Sequence, residues 1–137
     1  MIIRRIEHLD LEECQDLLRE EQLRCFDGRF ASFNYLKDLL EDNMSFLIQE
    51  GCDIIGCIFS EKLKHNGALL NFIAIHRDWR NKGIGSQILE RLQQEYEDKD
   101  VEWFILYSSV DTQENLEFYK KHNFINNGLF YELGKNL

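Results

Sequence analysis

Arg80, Asn81, Lys82, Gly83, Ile84, Gly85 and Ser86 form a basic, glycine-bearing turn between an apolar run at residues 68–75 and an amphipathic run at residues 84–96. A strand that ends in such a turn and opens directly into a helix is built to meet an anion. The first N–H groups of a helix have no internal acceptor, and the aligned peptide dipoles leave partial positive charge there. Gly83 and Gly85 would let a phosphate approach the main chain, although two glycines one residue apart serve equally well as an ordinary helix start. On spacing alone both readings stand.

The apolar run before the turn constrains the sheet. Residues 68–75 are apolar on both faces, which predicts a central strand. Residues 84–96 place Ile84, Ile88, Leu89, Leu92 and Tyr96 on one helical stripe, and residues 103–107 read as a second central strand. A strand–helix–strand crossover is right-handed, so these two strands should run parallel. Upstream, residues 44–49 and 54–61 read as a hairpin turned at Glu50, Gly51, Cys52 and Asp53, with Asn66 and Gly67 turning the chain once more. Gly56 inside the second strand suggests a close backbone approach or a bulge. The expected class is therefore a mixed α/β sheet, antiparallel first and parallel at the crossover.

The N-terminal part reads as a strand at residues 2–7 and a helix at residues 10–23, with Asp10 and Glu13 as a capping box. A second helix follows from the cap Ser32. Between the helices, Phe26 and Phe30 either border a ligand cleft or pin the loop to the core. After residue 107, Asp111 and Glu114 suggest another capping box, and the helix they open ends at Lys120, Lys121 and His122. Asn123 then stands where a left-handed residue is wanted. The tail, residues 124–137, should hold one or two short strands turned at Asn126, Asn127 and Gly128.

With 137 residues and no linker, repeat or low-complexity segment, one domain over residues 1–137 is expected. No apolar run approaches the roughly 20 residues that span a bilayer, and the first residues lack the apolar core of a secretory signal, so a soluble cytoplasmic protein is expected, without a membrane partner. Cys14, Cys25, Cys52 and Cys57 form no paired motif and group with no histidine, which predicts free thiols and no metal. Residues 1–60 hold thirteen acidic against six basic side chains, and the chain carries −9 overall. That balance disfavours nucleic acid. It suits a cationic substrate, and it equally suits a solvated acidic surface.

Two blocks in order resemble a known family. Arg80, Gly83 and Gly85 resemble the (Arg/Gln)-x-x-Gly-x-(Gly/Ala) pyrophosphate loop of the GNAT superfamily of acyl-CoA-dependent N-acyltransferases. Phe118, Tyr119 and Phe124 resemble its helix ending in Phe-Tyr-x-x-x-Gly-Phe. The order of strands and helices is similar over nearly the whole chain. The resemblance implies a mostly antiparallel mixed sheet of six to seven strands, with splayed central parallel strands and about four flanking helices. It implies acetyl-CoA as cosubstrate, its pyrophosphate on the main chain of residues 81–86 and its pantetheine arm beside Ile73, Ala74 and Ile75. Arg80, Lys82, Thr112 and Asn115 join the implied cofactor contacts, and a main-chain N–H near Ile75 would stabilise the oxyanion. Tyr119 would protonate the departing thiolate, whereas its residue context alone suggests a core tyrosine.

There are departures from the family pattern. Thr112 replaces an asparagine, and Asn123 replaces a glycine. The strand at residues 68–75 has no carboxylate: Asn71 stands where some members carry a glutamate base, and it could at most position a water. Glu61, His76 and Glu102 are alternative bases. The implied activity is direct acetyl transfer from a CoA thioester to a primary amine on a small molecule, peptide or protein lysine or N-terminus, by a chain that could form a homodimer. The competing expectation is a non-catalytic acyl-CoA-binding or regulatory module. A third is a phosphate-binding α/β domain for another nucleotide.

Overall fold

The helical spacing of Leu11, Cys14, Leu17 and Leu18 puts all four on one side of α1 (Leu11–Glu20), and all four are buried. The computed structural model describes residues 1–25, 28–108 and 112–137. Phe26 and Asp111, singled out above, lie outside the described residues. Contacts divide the chain into two compact units, Met1–Ile105 and Leu106–Leu137.

The first unit is a five-stranded sheet in chain order: β1 (Ile2–Arg5), β2 (Phe46–Glu50), β3 (Asp53–Lys62), β4 (Gly67–Ile75) and β5 (Trp103–Ile105). Neighbours are antiparallel except β4 and β5, which are parallel, as a helical crossover requires. On one face Leu47, Cys57, Phe59, Phe72 and Ala74 pack with α1 and with α2 (Phe33–Leu39). On the other lies α3 (Ile84–Glu97), whose Tyr96 hydroxyl sits 2.8 Å from Ser60 Oγ in the core. Burial pushes the Tyr96 phenol up to about 12.

Several local expectations hold. Ser32 Oγ accepts the Tyr35 N–H at 3.1 Å and caps α2. Gly56 is a close approach: a Cβ there would stand 2.7 Å from Ile75 Cδ1 and 3.3 Å from the Ala74 carbonyl oxygen. The expected box at Asp10 and Glu13 does not form. Asp10 is claimed by Arg4, whose guanidinium donates twice to it at 2.7 and 2.8 Å, and it accepts the Glu7 N–H at 2.8 Å. Glu13 turns instead to the sheet and accepts the Ile54 N–H at 3.2 Å.

The second unit carries α4 (Gln113–Lys121), which closes as its sequence predicts. Asn123 is left-handed at φ 68°, and the Phe124 N–H returns to the Tyr119 carbonyl at 3.0 Å. The tail differs from expectation. Gly128 N–H donates to Asn126 Oδ1 at 3.0 Å, but the backbone at residues 126–128 makes neither the expected turn nor a bend, and no residue of the described tail joins a ladder. Among the described residues the sheet therefore has five strands rather than six or seven. A turn motif is set by local backbone preference, whereas a strand also needs an edge to pair with.

Candidate functional site

β4 ends at Ile75, and the chain turns sharply into α3. His76 donates its N–H to the Ile55 carbonyl at 2.8 Å, and its Nδ1 accepts the Asp78 N–H at 3.2 Å, opening a short 3-10 helix, Arg77–Trp79. Two left-handed residues follow, Asn81 at φ 60° and Gly83 at φ 78°. Glycine and asparagine enter that region at least cost, so the turn is encoded locally. Main-chain N–H groups in such turns make anion-binding concavities.

At the start of α3 the capping position carries no side-chain bond. The first ladder bond of α3 runs from the Gln87 N–H to the Gly83 carbonyl at 3.1 Å, Gly83 has no side chain to cap, and no acid lies in the first turn. Most surface helices answer their first N–H groups with a Ser, Thr, Asp or Asn cap. Here Ile84 is buried while Asn81, Lys82 and Gly83 are exposed, and Gly85 and Ser86 are half-buried. Among the described residues no heavy atom lies within 4 Å of where a Gly83 Cβ would stand, so that side of the turn is open to them.

The cations of the loop are placed differently from one another. Lys82 Nζ sits 5.0 Å from the centroid of the Trp79 ring, so Trp79 packs against the loop. Arg80 is tied inward: its Nε donates to the Ile75 carbonyl at 3.3 Å and its NH2 group pairs with Glu21 at the end of α1. Sequence reasoning missed Glu21. The clue was there, because a carboxylate just past a helix C-terminus opposes the dipole and so calls for a specific cation.

β4 pairs with β5 only at Gly67–Trp103, Ala68–Phe104 and Leu69–Ile105. From Leu70 to Ile75 that edge of β4 has no ladder partner among the described residues, so Ile73, Ala74 and Ile75 lie on an unpaired edge. Ala74 is buried in the core on the α1 side, while Ile73 and Ile75 are half-buried. Asn71 marks a register break, for Phe59 pairs with Phe72 but Ser60 with Leu70. Its Nδ2 donates to Glu61 Oε2 at 3.0 Å and lies 3.4 Å from the Tyr35 hydroxyl. Of the alternative bases, His76 is occupied as a cap, and Glu102 donates its N–H to the Asn66 carbonyl at 2.8 Å, at the far end of β4.

In the second unit, Thr112 precedes α4 and its carbonyl accepts the Asn115 N–H at 3.2 Å, although its side chain does not cap the helix. Asn115 is exposed on the first turn. Tyr119 is half-buried between Phe118 and Phe124, with ring centroids 5.3 and 5.6 Å away. Burial pushes its phenol up to about 12. Among the described residues no His, Cys, Asp and Glu grouping suits a metal ion, and no helix is long and apolar enough to cross a membrane.

Comparison with known proteins adds to this geometry. Residues 41–126 match the model of the acetyltransferase (GNAT) domain. Among solved structures, the chain is similar to Ard1 from Thermoplasma volcanium, at 18% identity and a TM-score of 0.83 over 93% of this chain and 84% of that one. It is similar to the ribosomal-protein-alanine N-acetyltransferase of Brucella melitensis biovar Abortus 2308, at 16% identity and 0.76 over 98% and 99%. It is also similar to aminoglycoside N-acetyltransferase AAC(6')-Iy in complex with CoA, at 16% identity and 0.78 over 99% and 100%. No curated protein sequence matches.

Proposed function

The chain belongs to the GNAT acetyltransferase family, and from that premise we propose that it transfers the acetyl group of acetyl-CoA directly to a primary amine, both units acting as one domain. The observation that carries this is the start of α3: a glycine with no side-chain cap, no acid in the first turn, and left-handed Asn81 and Gly83 before it. A pyrophosphate would accept from the N–H groups of residues 81–86, with Lys82 and a released Arg80 adding charge. The pantetheine arm would lie along the unpaired edge beside Ile73, Ala74 and Ile75, where a main-chain N–H stabilises the oxyanion.

Thr112 and Asn115 would contact the cofactor from α4, and Tyr119 would protonate the thiolate. A phenol pushed up to about 12 is protonated throughout the physiological range, which is the state an acid must start from. The burial that raises the phenol would raise the CoA thiol in the same surroundings, so the two remain matched for proton transfer. The acceptor would be a small molecule, a peptide or a protein amine. AAC(6')-Iy and the Brucella enzyme are named for an aminoglycoside and a ribosomal-protein alanine respectively, and both classes enter the panel below.

Asn71 on β4, where a carboxylate base would stand, favours one competing function: an acyl-CoA-binding module without turnover. Calorimetry with acetyl-CoA and with acetyl-pantetheine, which lacks the pyrophosphate, tests the cofactor site; much tighter binding of acetyl-CoA is expected, and equal binding would contradict it. Thiol release with spermidine, sisomicin and an alanine-leading peptide separates the enzyme from the module, which would bind acetyl-CoA and release nothing.

A further inference from the structure

The extra residue that Asn71 contributes to β4 changes what faces α1 and α2. Phe59 pairs with Phe72 and Glu61 pairs with Leu69, so β3 advances two residues while β4 goes back three. In such a bulge two consecutive residues fall on the same face. Asn71 and Phe72 both turn to Tyr35 of α2: Asn71 Nδ2 lies 3.4 Å from the Tyr35 hydroxyl, and the Phe72 and Tyr35 rings meet edge-on at 6.2 Å. Glu61 is the diagonal neighbour of Asn71 and accepts its amide at 3.0 Å on Oε2. No bond occupies Glu61 Oε1 among the described residues, and Glu61 is half-buried.

We propose that Glu61 is the carboxylate that receives the acceptor's alkylammonium group and takes its proton, with Asn71 as its positioning residue; this rests on the acetyl-transfer function above. Residue type explains the division of labour. An asparagine has no proton affinity at neutral pH, but its NH2 can fix a carboxylate on the neighbouring strand. Ile73 follows Asn71 by two residues, roughly 7 Å along the strand. A carboxylate at the Asn71 amide therefore stands within reach, directly or through one water, of an amine attacking an acyl group beside Ile73.

The steps balance. Glu61 takes one proton from the ammonium, and the freed lone pair forms the C–N bond at the thioester carbon. The C–S bond breaks, the thiolate takes the Tyr119 proton, the second nitrogen proton leaves to solvent, and the phenolate regains a proton from solvent. Glu61 releases its proton to solvent. Asn71 from β4 holds Glu61, and the Tyr35 hydroxyl of α2 lies at the same amide; Glu61 and Asp42, which accepts the Lys62 N–H at 2.7 Å, both act on the Tyr96 phenol of α3.

The test uses the CoA-saturated protein, which cannot transfer, and n-butylammonium as the probe. Nitrogen-resolved NMR should show a saturable shift of the Asn71 side-chain amide. Glu61→Gln should weaken binding at least tenfold, and Glu61→Asp should restore most of it. CoA affinity retained in Glu61→Gln certifies the fold. No shift at Asn71, or unchanged affinity in a folded Glu61→Gln, overturns the proposal. Probe binding here together with no thiol release from acetyl-CoA by any amine would overturn the transfer function and leave the subsite standing. For an amine that is acetylated, Glu61→Gln should lower kcat roughly 10²–10⁴-fold, with a rate that keeps climbing as pH frees the amine. An unchanged pH profile overturns the proton-taking role.

Discussion

Arg80 pairs with Glu21 across 59 positions of sequence and joins the cofactor loop to the end of α1. The Glu21 side chain is 7% exposed, and its Oε1 is buried without a partner among the described residues. Removing the cation leaves a buried carboxylate uncompensated, which costs about 3 kcal/mol where both partners are buried and less here, since Arg80 is half in water. Arg80→Ala should lower the unfolding midpoint measurably. Glu21→Gln in that background should recover part of the loss, because the charge that suffered is gone. Additive losses in the double variant, read by denaturant unfolding, would mean that the two do not act as a pair.

Gly83→Ala isolates the left-handed turn. With nothing among the described residues within 4 Å of a Cβ there, the substitution meets no clash with them, and its cost is that of the φ of 78°, about 1–2 kcal/mol. Gly83→Asn should cost less. Thermal unfolding checks the order, and calorimetry should show acetyl-CoA affinity falling in the same order.

Tyr96 and Tyr119 both titrate late, pushed by burial to about 12 from an ordinary value near 10. For a group whose folded pKa is raised, the stability linked to it is complete below the unfolded pKa and is lost as pH rises through the folded one. Stability should therefore hold to about pH 10 and fall between about pH 10 and 12, by up to roughly 3 kcal/mol for fully buried Tyr96. Tyrosinate absorbance against pH checks it: two phenols should ionise only with unfolding. Smooth titration of all five tyrosines near pH 10 in a folded protein would contradict it.

What the sequence made legible was local. Gly83 before an amphipathic run, Ser32 before α2 and Asn123 after α4 each act within a few residues, and each stands where its pattern placed it. Partners chosen across the chain were not legible. Glu21 meets Arg80, Glu13 meets the Ile54 N–H, and Asp10 leaves its expected box for Arg4, because competition among distant groups decides each. The register break at Asn71 has no one-residue signature either; Asn71 was marked only by what it is not. The tail strands and their turn were overread for a related reason, since Asn126 to Gly128 close only a local side-chain bond and supply no edge to pair with.

The most direct measurement is amine-dependent release of CoA thiol from acetyl-CoA, with the acetylated product identified by mass. With a competent amine, release should exceed the amine-free rate many-fold, and Tyr119→Phe should lower kcat by about 10²-fold or more while leaving acetyl-CoA affinity unchanged. Tight acetyl-CoA binding with no amine-dependent release, or a Tyr119→Phe variant as fast as the parent, would contradict the account.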